Sequence, residues 1–283
     1  MSGVGWLVAL LVVPALGAAV LAALPAGRDA LARQVALGVS GLVLLLAVGA
    51  TTAFDTGGPR FQLAGSVPWI PDFGVDLALG VDGIALVMLL LTAVLVPLVV
   101  LASWRERPGP GQRSQRAYLG WVLLLEATLM GVFSATDVFL FYVLFEAMLV
   151  PMYFLVGGFG GPGRRRAATK FFLYSLLGGL VMLAAVVGLY VVSSSQLGEG
   201  TFAFDALRRL DITPGVQKLL FGGFFLAFAI KAPLVPFHTW LPDAGAEART
   251  GTAVLLVGVL DKVGTFGMLR YCCLLYTSPS PRD

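Results

Sequence analysis

From Val4 to Tyr271 the chain is a succession of apolar runs. A helix of ~20 apolar residues is what a bilayer core of about 30 Å requires. Eight runs meet that length, at 4–24, 34–54, 82–104, 117–135, 138–157, 169–193, 217–240 and 250–271. Backbone inside lipid must satisfy its own hydrogen bonds, so runs this long resolve into helices. The expected fold class is an all-α polytopic membrane protein with about eight transmembrane helices. Composition agrees, since 58% of the residues are hydrophobic and only 12% charged, against roughly a quarter charged in a soluble domain. The first run has no Lys or Arg before it, so it lacks the basic start of a cleaved signal peptide and reads as a retained span.

The net charge of +3 is not a nucleic-acid footprint, because the basic residues fall between the apolar runs. Ten of them (Arg28, Arg33, Arg105, Arg107, Arg113, Arg116, Arg164, Arg165, Arg166 and Lys170) follow runs one, three and five. Four (Arg60, Arg208, Arg209 and Lys218) follow runs two, four and six. By the positive-inside rule the amino terminus lies outside. The long second connection, FDTGGPRFQLAGSVPWIPDFGVDLALGVDG, is expected to be an ordered external loop with a hairpin. TFAFDALRRLD, 201–211, reads as a short amphipathic helix at the interface. The polar, Pro/Ser-rich end, LLYTSPSPRD, resembles a cloning or assembly scar and is set aside.

Charges inside the spans call for explanation, because each costs ~3 kcal/mol on insertion scales. Glu126, Glu146, Lys231 and Lys262 fall near the middle of their runs. Counting 1.5 Å per residue puts Glu146 ~14 Å, Lys231 ~20 Å and Lys262 ~18 Å from the starts of their helices, close to one plane. Ionisable residues at such depth mark ion or proton routes, and the competing account is a static ion pair that fixes helix register. Pro233 and Pro236 break the helix next to Lys231, a device that recurs beside buried charges in transporters. The only histidine, His238, lies about 10 Å beyond Lys231 along a helix, within reach of a relay through water. Glu126 and Glu146 flank the tight turn SATD, 134–137, at similar depths on antiparallel helices, with their facing left open.

GFGGPG, 158–163, fits a dinucleotide-binding pattern in letters only, since no strand precedes it, and it reads as an inner loop. Cys272 and Cys273 are adjacent, where a disulfide is strained, and no other cysteine exists. With no phosphate loop, metal-ligand cluster or nucleophile–base pair in view, no cofactor or metal is expected in this chain.

DVFLFYVLFEAMLVPMYFLVGGFG, 137–160, AIKAPLVPFHTWLPDAGAEA, 229–248, and VLLVGVLDKVGTFGMLRY, 254–271, resemble the antiporter-like membrane subunits of proton-pumping NADH:quinone oxidoreductase (respiratory complex I). The likeness is greatest to their chain M branch, the counterpart of mitochondrial NADH dehydrogenase subunit 4. LGVDGIAL, 79–86, and GVFSATD, 131–137, fit the same pattern. The resemblance implies that Glu146 is the essential glutamate of the fifth helix, Lys231 the lysine of a broken seventh helix and Lys262 the lysine of the eighth. It matches His238 to the histidine beyond the break. It further implies a first five-helix repeat at 117–271, preceded by three helices and the external loop at 1–116 and followed by a non-native tail at 272–283. Family members have about fourteen helices, so the chain is expected to be an amino-terminal portion of such a protein.

Two local departures stand out. EART occupies the place of a usual Glu-Ala-Pro-Thr run, with Arg249 for Pro, and Asp261 stands where an apolar residue is more usual. The function implied is proton translocation coupled to quinone reduction, in a multi-pass protein of the inner (plasma) membrane. NADH, FMN, iron–sulfur clusters and quinone would belong to partner subunits. A multi-subunit cation/proton antiporter, a membrane-bound hydrogenase and a non-pumping structural subunit are the alternatives.

Overall fold

The computed structural model describes residues 3–106 and 114–276. Arg107, Arg113 and the end of the sequence from 277 onward lie outside that range. Helices α1 (Gly3–Ala23) and α2 (Asp29–Thr52) form an antiparallel pair, followed by strands β1 (Gln62–Ile70) and β2 (Val75–Val81). Helices α3 (Gly83–Ala102), α4 (Gln115–Ser134), α5 (Val138–Ala147), α6 (Leu149–Phe159) and α7 (Arg164–Leu197) come next. One helical turn, α8 (Phe204–Leu207), leads to α9 (Pro214–Lys231), α10 (Trp240–Glu247), α11 (Thr250–Leu255), α12 (Asp261–Gly267) and α13 (Cys273–Tyr276). The chain is a multi-pass membrane protein: among the described residues, seven helical stretches are long and apolar enough to cross a bilayer, with α5–α6 and α11–α13 each making one crossing.

The crossing expected at 217–240 is interrupted. Its helix stops at Lys231, a 3₁₀ turn occupies Phe237–Thr239, and α10 carries the chain onward. The centre of the bundle is α4, whose Tyr118, Leu119, Val122, Leu123, Leu125 and Leu129 are fully buried. Helix α1 packs along it, α2 and α3 flank the pair, and α7 lies against α9.

The long second connection does hold a hairpin, with β1 antiparallel to β2 and Val67 opposite Leu77. At its tip Gly74 adopts φ +59, and a Cβ there would collide with the carbonyl of Gly200, so both conformation and space require glycine. The expected amphipathic helix over 201–211 shrinks to α8. Backbone pairing competes with it, because Val138 N–H donates to Phe202 O at 2.9 Å and Phe204 N–H to Thr136 O at 3.1 Å. Asp137 caps α5 by accepting from Leu140 N at 2.8 Å and reaches the hairpin through Asp76 N at 3.3 Å. Both cysteines are free.

At the opposite end Arg33 donates to Trp104 O at 2.6 Å, tying α2 to α3. The GFGGPG loop has a structural task there. Gly161 N–H donates to Glu247 O and Gly163 N–H to Glu247 Oε2, each at 2.8 Å, so the loop clasps the end of α10. Arg60 and Arg165 are exposed at the two ends of the bundle. With Cys272 and Cys273 replaced by serine, a cysteine at Arg60 should react with an impermeant thiol reagent added outside and one at Arg165 should not. The reverse pattern would invert the orientation.

Candidate functional site

Glu146 sits five residues before Pro151, whose missing N–H leaves the carbonyl of Ala147 without its helical donor. The helix is interrupted there, at Met148, between α5 and α6. Its half-buried carboxylate turns toward α7 and fills the space over Gly179, where a Cβ would overlap Oε1. Oε1 has no hydrogen-bond partner among the described residues.

Lys231 ends α9 and is 1% exposed. The prolines behind it stop the helix, yet the freed backbone is answered within the protein. Leu234 N–H reaches Ala229 O at 2.8 Å in place of Pro233, and the buried Trp240 indole donates to Ile230 O at 2.9 Å. The ammonium has no hydrogen-bond partner among the described residues. It lies 4.7 Å from the centre of the Phe145 ring and 5.8 Å from that of Phe171, a cation–π setting that holds it without fixing it to one carboxylate. Glu146 and Asp261 are the carboxylates that act on its charge.

Helix α7 supplies the wall between them. Phe171, Ser175 and Gly179 follow at i, i+4 spacing and so share a face. Phe171 meets Lys231 and Gly179 meets Glu146, which leaves the buried Ser175 hydroxyl, unpartnered among the described residues, between them. Gly178 lets α9 approach, with Ala227 Cα at 3.3 Å from the position a Cβ would take.

The eighth crossing is not a regular α-helix. A π turn at Leu256–Leu260 precedes Asp261, whose N–H bonds back to Leu256 O. The extra residue in that turn advances the following side chains by about 100°. Asp261, 7% exposed, consequently faces inward, and Lys262 is exposed on the other side. Lys262 is therefore not brought to Lys231 within this chain, against the expectation of a buried lysine there.

Two further expected residues also stand apart. His238 is exposed on the 3₁₀ turn rather than directed at Lys231. Glu126 is fully buried in α4, with neither carboxylate oxygen hydrogen-bonded among the described residues. Arg249, standing where the resemblance has proline, anchors the start of the eighth crossing. It donates to Phe159 O at 3.1 Å and to Gln115 Oε1 at 3.3 Å. At the hairpin end of the bundle Arg270 pairs with Asp82 at 2.8 Å and donates to Ala135 O at 3.3 Å, tying the eighth crossing to the hairpin. That pair was not foreseen, because Arg270 and Asp82 lie at the ends of distant runs and carry no local signal. Among the described residues no group of His, Cys, Asp and Glu could hold a metal ion.

The sequence and fold that carry this site are matched by known proteins. Residues 135–281 match a transmembrane family described as NADH:quinone oxidoreductase/Mrp antiporter. The chain belongs to this family. It is 47% identical, over 99% of its length and 56% of the relative's, to NADH-quinone oxidoreductase subunit M of Mycobacterium tuberculosis (strain CDC 1551 / Oshkosh). With subunit M of Escherichia coli (strain K12) it shares 41% identity, over 88% of this chain and 50% of that one. A chain in the structure of respiratory complex I from Thermus thermophilus with bound NADH is similar at a TM-score of 0.81 and 35% identity, over 95% of this chain and 53% of that one. The chain thus spans about half the length of the curated relatives it matches.

Proposed function

We propose that the chain is a proton-translocating membrane subunit of an NADH:quinone oxidoreductase in the inner (plasma) membrane, with Lys231 and Glu146 as carriers on its route. The observation that carries this is a buried lysine with no hydrogen-bond partner among the described residues, set at a helix break within electrostatic reach of a carboxylate at another break. A static pair would hydrogen-bond; among the described residues neither the Lys231 ammonium nor Glu146 Oε1 does.

At an effective dielectric of about 20, moving unit charges from 4 Å to 8 Å apart changes their interaction by ~2 kcal/mol. A small rearrangement at the breaks is then enough to favour or release a proton on the lysine. The proton passes from nitrogen to an acceptor oxygen and the amine is reloaded from the inner side. In this reading the partners are the other membrane and peripheral subunits. NADH, FMN, iron–sulfur clusters and quinone reside there, and the redox work done there drives the rearrangement.

The family description also names Mrp antiporters, which makes cation/proton exchange the competing reading. Purifying the full-length protein with its native partners decides between them. The expected result is co-purified flavin and iron–sulfur centres and NADH-driven proton uptake into inverted vesicles without sodium. Sodium-dependent proton exchange with no flavin present would overturn the proposal in favour of the antiporter.

A further inference from the structure

We propose that Asp261 is a second proton-holding carboxylate for Lys231, so that the lysine serves two acceptors rather than one. Three observations converge on it. The π turn at Leu256–Leu260 rotates Asp261 into the core, where it is 7% exposed with Oδ1 lacking a hydrogen-bond partner among the described residues. Gly264, three residues on and so on the same helix face, brings the backbone of α12 against the break in α9. A Cβ on Gly264 would lie 2.6 Å from Ala232 N and 2.8 Å from Phe228 O. Asp261 and Glu146 both stand within electrostatic range of Lys231, on different crossings, α12 and α5.

An unpaired buried carboxylate is costly unless its charge is answered or it is protonated. Around Asp261 the answering charges are Lys231 from α9 and its own neighbour Lys262, which points to the exposed side. The side chain of Lys231 has four rotatable bonds, and its ammonium rests against aromatic faces rather than on either carboxylate. It can turn from Glu146 toward Asp261. In the transfer the Lys231 N–H bond breaks and an Asp261 O–H bond forms, leaving a neutral amine and a neutral acid, with no change in electrons. Asp261 then holds the proton on the side of the eighth crossing, from which it leaves toward the next carrier. The amine is free to take another from the Glu146 side.

The inference rests on the reading of Lys231 and Glu146 as carriers. Its test uses the full-length protein in its complex. Asp261→Asn, nearly isosteric and neutral, should lower NADH-driven pumping about tenfold, and Asp261→Glu, which keeps the proton site, should restore it to within about threefold. Asp261→Leu, a packing substitute, should fall with the asparagine variant. A hydrophobic carbodiimide, which attacks protonated carboxyl groups in apolar surroundings, should modify Asp261 in the unmutated complex, as read by peptide mass. This measurement does not depend on any variant assembling. Asp261→Asn pumping within about twofold of the unmutated complex, leucine restoring pumping as well as glutamate does, or Asp261 left unmodified while Glu146 is modified would each overturn the inference. Glu146→Gln, run in parallel, separates the levels. Pumping that survives it removes the underlying reading, whereas pumping lost in Glu146→Gln and kept in Asp261→Asn removes only the part assigned to Asp261.

Discussion

Lys231→Arg, made in the full-length protein within its complex, is expected to abolish proton pumping while leaving assembly and NADH oxidation by an artificial acceptor intact. A guanidinium effectively never gives up its proton, whereas a lysine amine in a dry setting is able to. The surroundings favour arginine in every other respect. The native ammonium lies over the Phe145 and Phe171 rings, and a guanidinium stacks on aromatic faces at least as well. The charge that answers Glu146 is kept. Overpacking at a site 1% exposed costs about 1–3 kcal/mol, so normal assembly is checked first. Pumping should then fall by more than about tenfold, because a carrier that cannot unload stops the cycle. Near-normal pumping by the arginine variant would identify Lys231 as one half of a fixed charge pair and remove it from the route. Lys231→Ala, which leaves the Glu146 carboxylate without its cation, should also fail to pump, so the two variants together separate loss of charge from loss of titration.

The crossings were legible because lipid allows so few solutions. Each run of ~20 apolar residues has to be a helix, and those over 138–159, 164–197 and 250–275 came within a few residues of their expected ends. The break after Lys231 was legible for a similar reason, since Pro233 and Pro236 cannot continue a helix. Pro151 sends the same signal beside Glu146, and its interruption at Met148 was readable in principle.

The π turn was not legible. LVGVL has no proline, and nothing in its letters marks an i→i+5 bond, yet that turn decides which of Asp261 and Lys262 faces inward. Periodicity taken at 3.6 residues per turn therefore fails at this point. Residues that act through packing were also missed. Ser175 and Gly179 gain their significance only when α5, α7 and α9 are brought together, since neither is charged and both are common in membrane helices. Glu126, in contrast, was conspicuous in sequence, and its carboxylate has no hydrogen-bond partner among the described residues.

Gly179→Ala carries the second large effect, through one methyl group. The added Cβ would overlap Glu146 Oε1, so the carboxylate must leave its place against α7. The helix itself should not suffer, because alanine is a better helix former than glycine by about 1 kcal/mol. What changes is the position of the charge that faces Lys231. A misplacement of about 1 Å in a reacting group is able to cost on the order of a hundredfold in rate, and pumping is expected to fall between about tenfold and that limit, with assembly unchanged. Gly222→Ala, where a Cβ meets nothing within 4 Å, is the control and should pump normally. The cause can be isolated by a second site. In Gly179→Ala combined with Glu146→Asp the acid is shorter by one methylene, which withdraws the carboxylate from the new methyl while keeping its charge. Pumping by the double variant should exceed that of Gly179→Ala alone. Equal loss in both would mean that the methyl acts on the packing of α7 rather than on the carboxylate, and unimpaired pumping in Gly179→Ala would show that the place of Glu146 beside Gly179 is not the one it works from.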